Sequence, residues 1–297
     1  MCIRDRIWNS SCNGCTDPNA SNYDSTAIFD DGSCIYAIAP LFFSEHADGD
    51  GFNRYFEIFN PTSDTVILDD YAWARVGGNP TTVGVYETWN DFTPGAVILP
   101  NDIYIVAHSN SDAFIINQAD MTSQLLSNGD DGLALVHGDE PVNPTHPDSG
   151  LYTILDWIGD WNGDPGTGWD VAGITAGTAN HTLVRKCEVM MGDTSWTNAA
   201  GTDPTNSQWV VFGNENWNYL GSHSNSTIYS STFDTICGGL SITVNGNVYD
   251  SSGVYVDTLI SQLGCDSVLT TNLFVLSNST ICSLIDIISA FCESINS

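Results

Sequence analysis

Cys15 and Cys34 bracket 18 residues that hold four acids and no Lys or Arg. The segment Gly14–Tyr36 carries too few apolar side chains to order itself by collapse, so it needs a covalent or ionic staple. A Cys15–Cys34 disulfide supplies one on the order of 3 kcal/mol in the chain-entropy account, provided the compartment is oxidising. Asp17, Asp24, Asp30 and Asp31 offer the hard oxygen ligands that Ca²⁺ prefers, with backbone carbonyls completing the shell. Their spacing departs from the EF-hand pattern. The alternative is a disulfide-held, solvated turn in which Asp and Asn cap nearby backbone groups.

A second loaded loop is Asp160–Asp170, DWNGDPGTGWD. Asp160, Asn162, Asp164 and Asp170 can converge on a cation, and Trp157, Trp161 and Trp169 can offer a flat surface for a sugar ring, with hydroxyls on the carboxylates. Against that stands the plainer account, in which the tryptophans pack inward and the carboxylates shape Gly-rich turns. Signatures of catalysis are missing: there is no G-x-S-x-G elbow, no H-E-x-x-H helix and no phosphate-binding loop. Six histidines are scattered, with His108 and His137 ending expected strands and His181 beginning one. Glu57 stands as an acid inside an apolar strand, where a bond to a neighbouring loop is expected.

Six basic residues against thirty-six acidic ones give a formal charge of -30, while charged residues make up only 14% of the chain. The imbalance comes from missing Lys and Arg rather than from acidic runs. Such a surface repels phosphate backbones and anionic lipid, which argues against direct nucleic-acid or membrane-surface partners. It suits high salt, where screening relieves the self-repulsion. No run reaches the roughly 18 apolar residues of a membrane span. The opening MCIRDR resembles translated adapter sequence, so residues 1–10 are set aside as an artefactual leader.

Those residues must be positioned by strands. Short apolar alternations separated by Gly, Asn and Pro turns recur at Tyr55–Phe59, Thr65–Leu68, Tyr71–Val76, Ile103–His108, Leu133–His137, Tyr152–Trp157, Thr182–Arg185 and Gln208–Phe212. Only Ser111–Ala119 reads as helical, with Ser111 or Asp112 as its N-cap. The pattern predicts an all-β chain built on an antiparallel β-sandwich.

Two resemblances sharpen this reading. Tyr55-Phe56-Glu57-Ile58-Phe59-Asn60-Pro61, then Val66-Ile67-Leu68-Asp69, and later LPNDIYIVAHS, SNGDDGLALVHG, ILDWIGD and HTLVRK are similar to the lamin-tail domain. That family implies an immunoglobulin-like sandwich over residues 39–224 and a non-catalytic module of secreted and surface proteins. GCTDP…NY…DDGSC resembles a short repeat of secreted Bacteroidetes-type proteins, here residues 11–38. After a Ser/Asn/Thr linker at 225–234, residues 235–276 resemble a small β repeat of Bacteroidetes surface proteins, marked by GCDSV. Asn245-Gly246 is a type I′ hairpin signal within it. A Cys237–Cys265 bridge would close this module. Residues 277–297 begin like a further, truncated copy, since Thr280-Ile281-Cys282 echoes Thr235-Ile236-Cys237. Of nine cysteines, Cys2 sits in the leader, and Cys12, Cys187, Cys282 and Cys292 stay unassigned.

The expectation from these modules is a non-enzymatic fragment of an extracellular or cell-surface protein. Its role would be structural display or adhesion toward a glycan or protein ligand, with Ca²⁺ as the one candidate cofactor. Two alternatives stand beside it: the accessory part of an extracellular nuclease or phosphodiesterase, and a glycan-binding module resting on the Trp/Asp loop.

Overall fold

Why residues 41–59 are buried almost without a break is explained by their place in the architecture. In this computed structural model, which describes residues 13–16, 18, 20, 22–34, 37–223, 228–259, 261, 263 and 267–277, the strands β3 (Phe42–Asp48) and β4 (Arg54–Phe59) lie at the centre of a six-stranded sheet. Two short strands precede them, β1 (Asn13–Gly14) and β2 (Phe29–Asp30), which pair in parallel. After them come β5 (Val66–Ile67), β6 (Tyr71–Gly77), β7 (Thr88–Asp91), β8 (Val97–Ile98) and β9 (Ile103–His108). The short helix α1 (Ala113–Ile116) leads to β10 (Met121–Ser123), β11 (Asp131–His137), β12 (Thr153–Ile158) and β13 (His181–Arg185). Helix α2 (Trp196–Ala200) and β14 (Trp209–Gly213) finish the larger unit.

The larger sheet runs β10-β9-β4-β3-β13-β14 and the smaller runs β12-β11-β6-β7, so the chain forms an all-β sandwich. Every ladder in the two sheets is antiparallel except β9–β10, which pairs in parallel at an edge. Alternation along β4 sends Phe56 and Ile58 inward, where they meet Phe43, Tyr104, Val106 and Leu183 from the same sheet and Trp73, Leu133 and Leu135 from the other. Edge-on contacts join Phe43 to Phe56 (5.2 Å) and Phe56 to Trp73 (5.4 Å); such pairs contribute about 0.5–1.5 kcal/mol each beyond burial.

The outer face of the six-stranded sheet is covered as well. Ala47, Tyr55, Ile105 and Ala107 pack against Ile115 of α1, Leu220 and Trp217. All seven residues of β3 are therefore buried, polar ones included. A bulge between Phe43 and Glu45 resets the alternation there. Ser111 does not cap α1: its hydroxyl donates to Phe52 O, and Asp112 precedes the helix without a side-chain cap bond. In α2, which no apolar periodicity announces over five residues, the Ser195 hydroxyl accepts from Asn198 N.

Beyond the sandwich lie β15 (Ile228–Cys237), β16 (Ile242–Val244), β17 (Asn247–Tyr249), β18 (Gly253–Leu259) and β19 (Ser267–Leu276). The stretch 225–234, expected as linker, enters a strand at Ile228, because its Thr, Tyr, Phe and Ile content suits an extended chain. β15 pairs in parallel with β19, which pairs antiparallel with β18. The β16–β17 hairpin turns through Asn245 and Gly246, both at positive φ (46° and 79°), as a type I′ turn requires.

The two sheets of the sandwich are tied by charge. Arg185 of β13 and Asp156 of β12, both fully buried, form an ion pair across the interior. Asp156 also accepts from Phe43 N (2.8 Å) and Asp193 N (2.9 Å). Arg185 donates to Phe43 O (3.1 Å) and Gln208 Oε1 (3.1 Å), and its guanidinium lies 4.0 Å from the Trp209 ring centroid. Asp156→Ala strands a buried cation and is expected to cost about 3–5 kcal/mol in urea denaturation. The double change Asp156→Leu with Arg185→Met is expected to cost less than the single one.

Candidate functional site

In the first loaded segment the structure joins Cys15 to Cys34, with Cα atoms 4.6 Å apart. Asp24 Oδ1 accepts from the Thr26 N–H and hydroxyl, Asp30 Oδ1 from Gly32 N and Asp31 Oδ1 from Ser33 N. The hydrogen bonds from Thr26 and Ser33 hold Asp24 and Asp31 below the usual carboxylate range. Each carboxylate thus shapes its own turn, and Asp17 lies outside the described residues. Among the described residues no three His, Cys, Asp or Glu side chains group as a metal site.

Cysteine pairing goes further than one bridge. Cys187 and Cys237 are also disulfide-bonded, while Cys265 lies outside the described residues. Cys187 N donates to Leu263 O at 3.0 Å, so the end of the sandwich touches the following module beside this cysteine.

The Trp/Asp loop connects β12 to β13. Trp161 is 1% exposed, standing edge-on to Trp157 (4.7 Å), with its indole N–H on Gly132 O. Gly132 is required there, since a Cβ would collide with Asp160 O. Trp169 is half-buried and donates to Asp131 O. Asp160, Asp164 and Asp170 accept from the backbone N–H of Asn162, Gly166 and Ala176 respectively, so the loop carboxylates are used locally rather than converging. The loop nevertheless borders two clefts. One, of about 490 Å³, is lined by Gly84, His146, Tyr152, Trp157, Trp161 and Asn162 among others. The other, of about 410 Å³, has Asp160, Trp169, Asp170 and Trp196 in its wall. Sequence reasoning singled out the loop but missed His146 and Tyr152, which a 3-10 turn at Pro147–Ser149 brings beside it.

Three histidines stand at strand ends, His108, His137 and His181. His108 stacks on Phe52 (4.6 Å) and accepts from Asn110 N, and His137 meets Tyr71 edge-on (4.8 Å). Glu57 accepts from Gly221 N, the expected bond to a loop. Directly opposite in register is Glu45, which accepts from the Tyr55 hydroxyl. Burial pushes Glu45 up to about 8, and burial with the neighbouring Glu45 holds Glu57 well above its ordinary range. These acids lie beneath the segment 214–223, whose Trp217 leans on Tyr55 (5.7 Å) and whose His223 packs on Phe59 (4.7 Å). Burial lowers His46, and burial together with Arg185 lowers His223 to about 4.

No family model and no curated protein matches the chain. Among solved structures it is similar to a DUF4876 family protein from Bacteroides thetaiotaomicron, at 14% identity and a TM-score of 0.37, covering 69% of this chain and 79% of that one.

Two outcomes follow from this geometry. Glu45 and Glu57 hold protons in the folded state that the unfolded chain loses near 4.5, so stability falls as pH rises from there through about 8. The buried histidines act oppositely, but only as pH drops below about 6.5. Between pH 6.5 and 8 the melting temperature is therefore expected to decline, and Glu45→Gln to flatten that decline; a flat wild-type profile would contradict it. Reduction of Cys15–Cys34 is expected to open residues 16–33 to thermolysin, with the sandwich left intact on a gel.

Proposed function

We propose that the chain is a non-catalytic module of an exported or cell-surface protein, a sandwich of lamin-tail type that holds and spaces binding surfaces outside the cell. One observation carries this reading: all four cysteines among the described residues, Cys15, Cys34, Cys187 and Cys237, are disulfide-bonded. Disulfides at that density belong to oxidising compartments. They also suit units such as residues 13–34, where Cys15 and Ala20 are the buried apolar side chains.

The disposition of cations supports it further. Arg54 pairs with Asp48, Arg75 with Asp131 and Arg185 with Asp156, while Lys186 donates to Pro204 O. Every arginine of the sandwich is thus paired with a carboxylate, while Lys186 stays at the surface. A chain of charge -30 whose sandwich arginines are so engaged repels polyanions and favours neutral or cationic partners. Weak contacts made through a rigid body gain strength when several copies act together, by roughly 10²-fold or more.

The test couples the full chain to beads in many copies and washes them over intact bacterial cells and extracellular polysaccharide. Beads are expected to stay where the free chain washes off. Loss of both alike, or turnover of a phosphodiester substrate by the purified chain, would overturn the reading. Alkylation of protein secreted into an oxidising compartment is expected to label none of the four cysteines, and labelling all of them would remove its main support.

A further inference from the structure

The cleft beside the Trp/Asp loop has unused hydrogen-bonding groups gathered over an aromatic floor. Tyr152, Trp157 and Trp161 line it, and Thr153, Ile154 and Thr194 extend the wall, enclosing about 490 Å³. This lies in the range of about 300–1,000 Å³ typical of small-ligand sites. Both indole N–H groups are committed to backbone, Trp157 to Thr194 O (3.1 Å) and Trp161 to Gly132 O (3.0 Å). What these nearly buried rings can offer the cleft is therefore carbon, through the small part of each that reaches its wall.

The rim differs from the floor. His146 Nδ1 accepts from Asp148 N at 3.2 Å, which in the neutral ring makes Nε2 the N–H donor. A Cβ placed on Gly84 would lie 2.8 Å from His146 Nε2 and 3.8 Å from Asn162 Oδ1, so both groups are gathered beside Gly84. Gly84 sits at φ +77° and donates to Trp161 O at 2.7 Å, a conformation and closeness that keep the space clear. Neither His146 Nε2 nor the Asn162 side-chain amide bonds a described residue. The Asp148 carboxylate, largely exposed, completes the rim.

An apolar floor with a donor, an amide and a carboxylate at its edge matches a ring that has one C–H face and several hydroxyls. The lining of this cleft holds no Lys or Arg, and with the carboxylate at its rim this disfavours sulfated or uronic-acid sugars. We infer that this cleft binds a residue of a neutral oligosaccharide, with His146 and Asn162 reading its hydroxyls. The inference deepens the surface-module reading above by naming its ligand class, and it rests on that reading. It differs from the loop constellation of Trp169, Asp164 and Asp170, which lies on the other side of the connection or points into its own turns.

The test titrates the full chain with cellohexaose, laminarihexaose and mannohexaose, following tryptophan fluorescence and calorimetry, with a sulfated hexasaccharide as the charged control. At least one neutral hexamer is expected to saturate, and the sulfated one is not. Asn162→Ala, at an exposed position, is expected to weaken binding about tenfold, as for one lost hydrogen bond to ligand. Gly84→Ala, which drives a methyl into His146, is expected to abolish it; unchanged melting of Asn162→Ala keeps the result readable should Gly84→Ala misfold. No saturation with any neutral hexamer, or equal affinity in Asn162→Ala, overturns the assignment. If multivalent beads still adhere to cells in that case, the surface role stands and only the cleft is wrong.

Discussion

The ion pair between Arg185 and Asp156 is the constraint on which the rest of the sandwich depends. Its two halves come from different sheets, and its remaining hydrogen bonds reach Phe43 on both its N–H and its carbonyl. That position lies beside the bulge that turns Glu45 outward and His46 inward. Isolated charges in such an interior would cost several kcal/mol each. They are tolerated because Gln208 and Asp193 complete a closed network around them and Trp209 covers the guanidinium. The pair thus links β12 of one sheet to β13 and β3 of the other at a single buried point.

The same principle governs the other arginines. Arg75 is held by Asp131, which also accepts from Ser127 N, and Arg54 by Asp48, which accepts from Gly129 N and Asn180 N. In a chain so poor in cations, each of the three described arginines is placed where it fastens a loop or strand to its neighbour. The surface is left to carboxylates, several of which, such as Asp24, Asp31, Asp164 and Asp203, fold back onto nearby backbone N–H groups. That division explains how a protein of low total charge can be strongly acidic and still be internally ordered by electrostatics.

Strands whose residues alternate cleanly could be read from sequence, and the expected Ile103–His108 coincides with β9. β7 and β10 escaped because Thr88-Trp89-Asn90-Asp91 and Met121-Thr122-Ser123 are short edge strands of mostly half-buried residues, with too few apolar side chains to mark a face. The ion pair escaped for a different reason: 29 residues separate its members and only the sheet order unites them. A signal existed, since Asp156 stands between Leu155 and Trp157 in an apolar run as Glu57 does between Phe56 and Ile58. The cleft had less of a trace. His146, Tyr152 and Asn162 share no periodicity, and Gly84 joins them from a loop sixty residues earlier in the chain, roughly in the middle of the first half. Aromatic loops are conspicuous in a sequence, whereas a concavity is a property of packing.

The closing of the six-stranded sheet has a bearing on how the chain must be made. Its central strands are neighbours in sequence, yet their satisfaction comes from far away: Phe43 waits for Asp156 and Arg185, Asp48 for Asn180, and Glu57 for Gly221. Contacts of such long separation bring loop-closure entropy forward and slow the search for the native state. An emerging chain would hold β3 and β4 as a hairpin with buried-type acids still in water until the last strand arrived. During synthesis the body therefore stays unassembled until late, and its closing becomes a single event once Gly221 is free to reach Glu57.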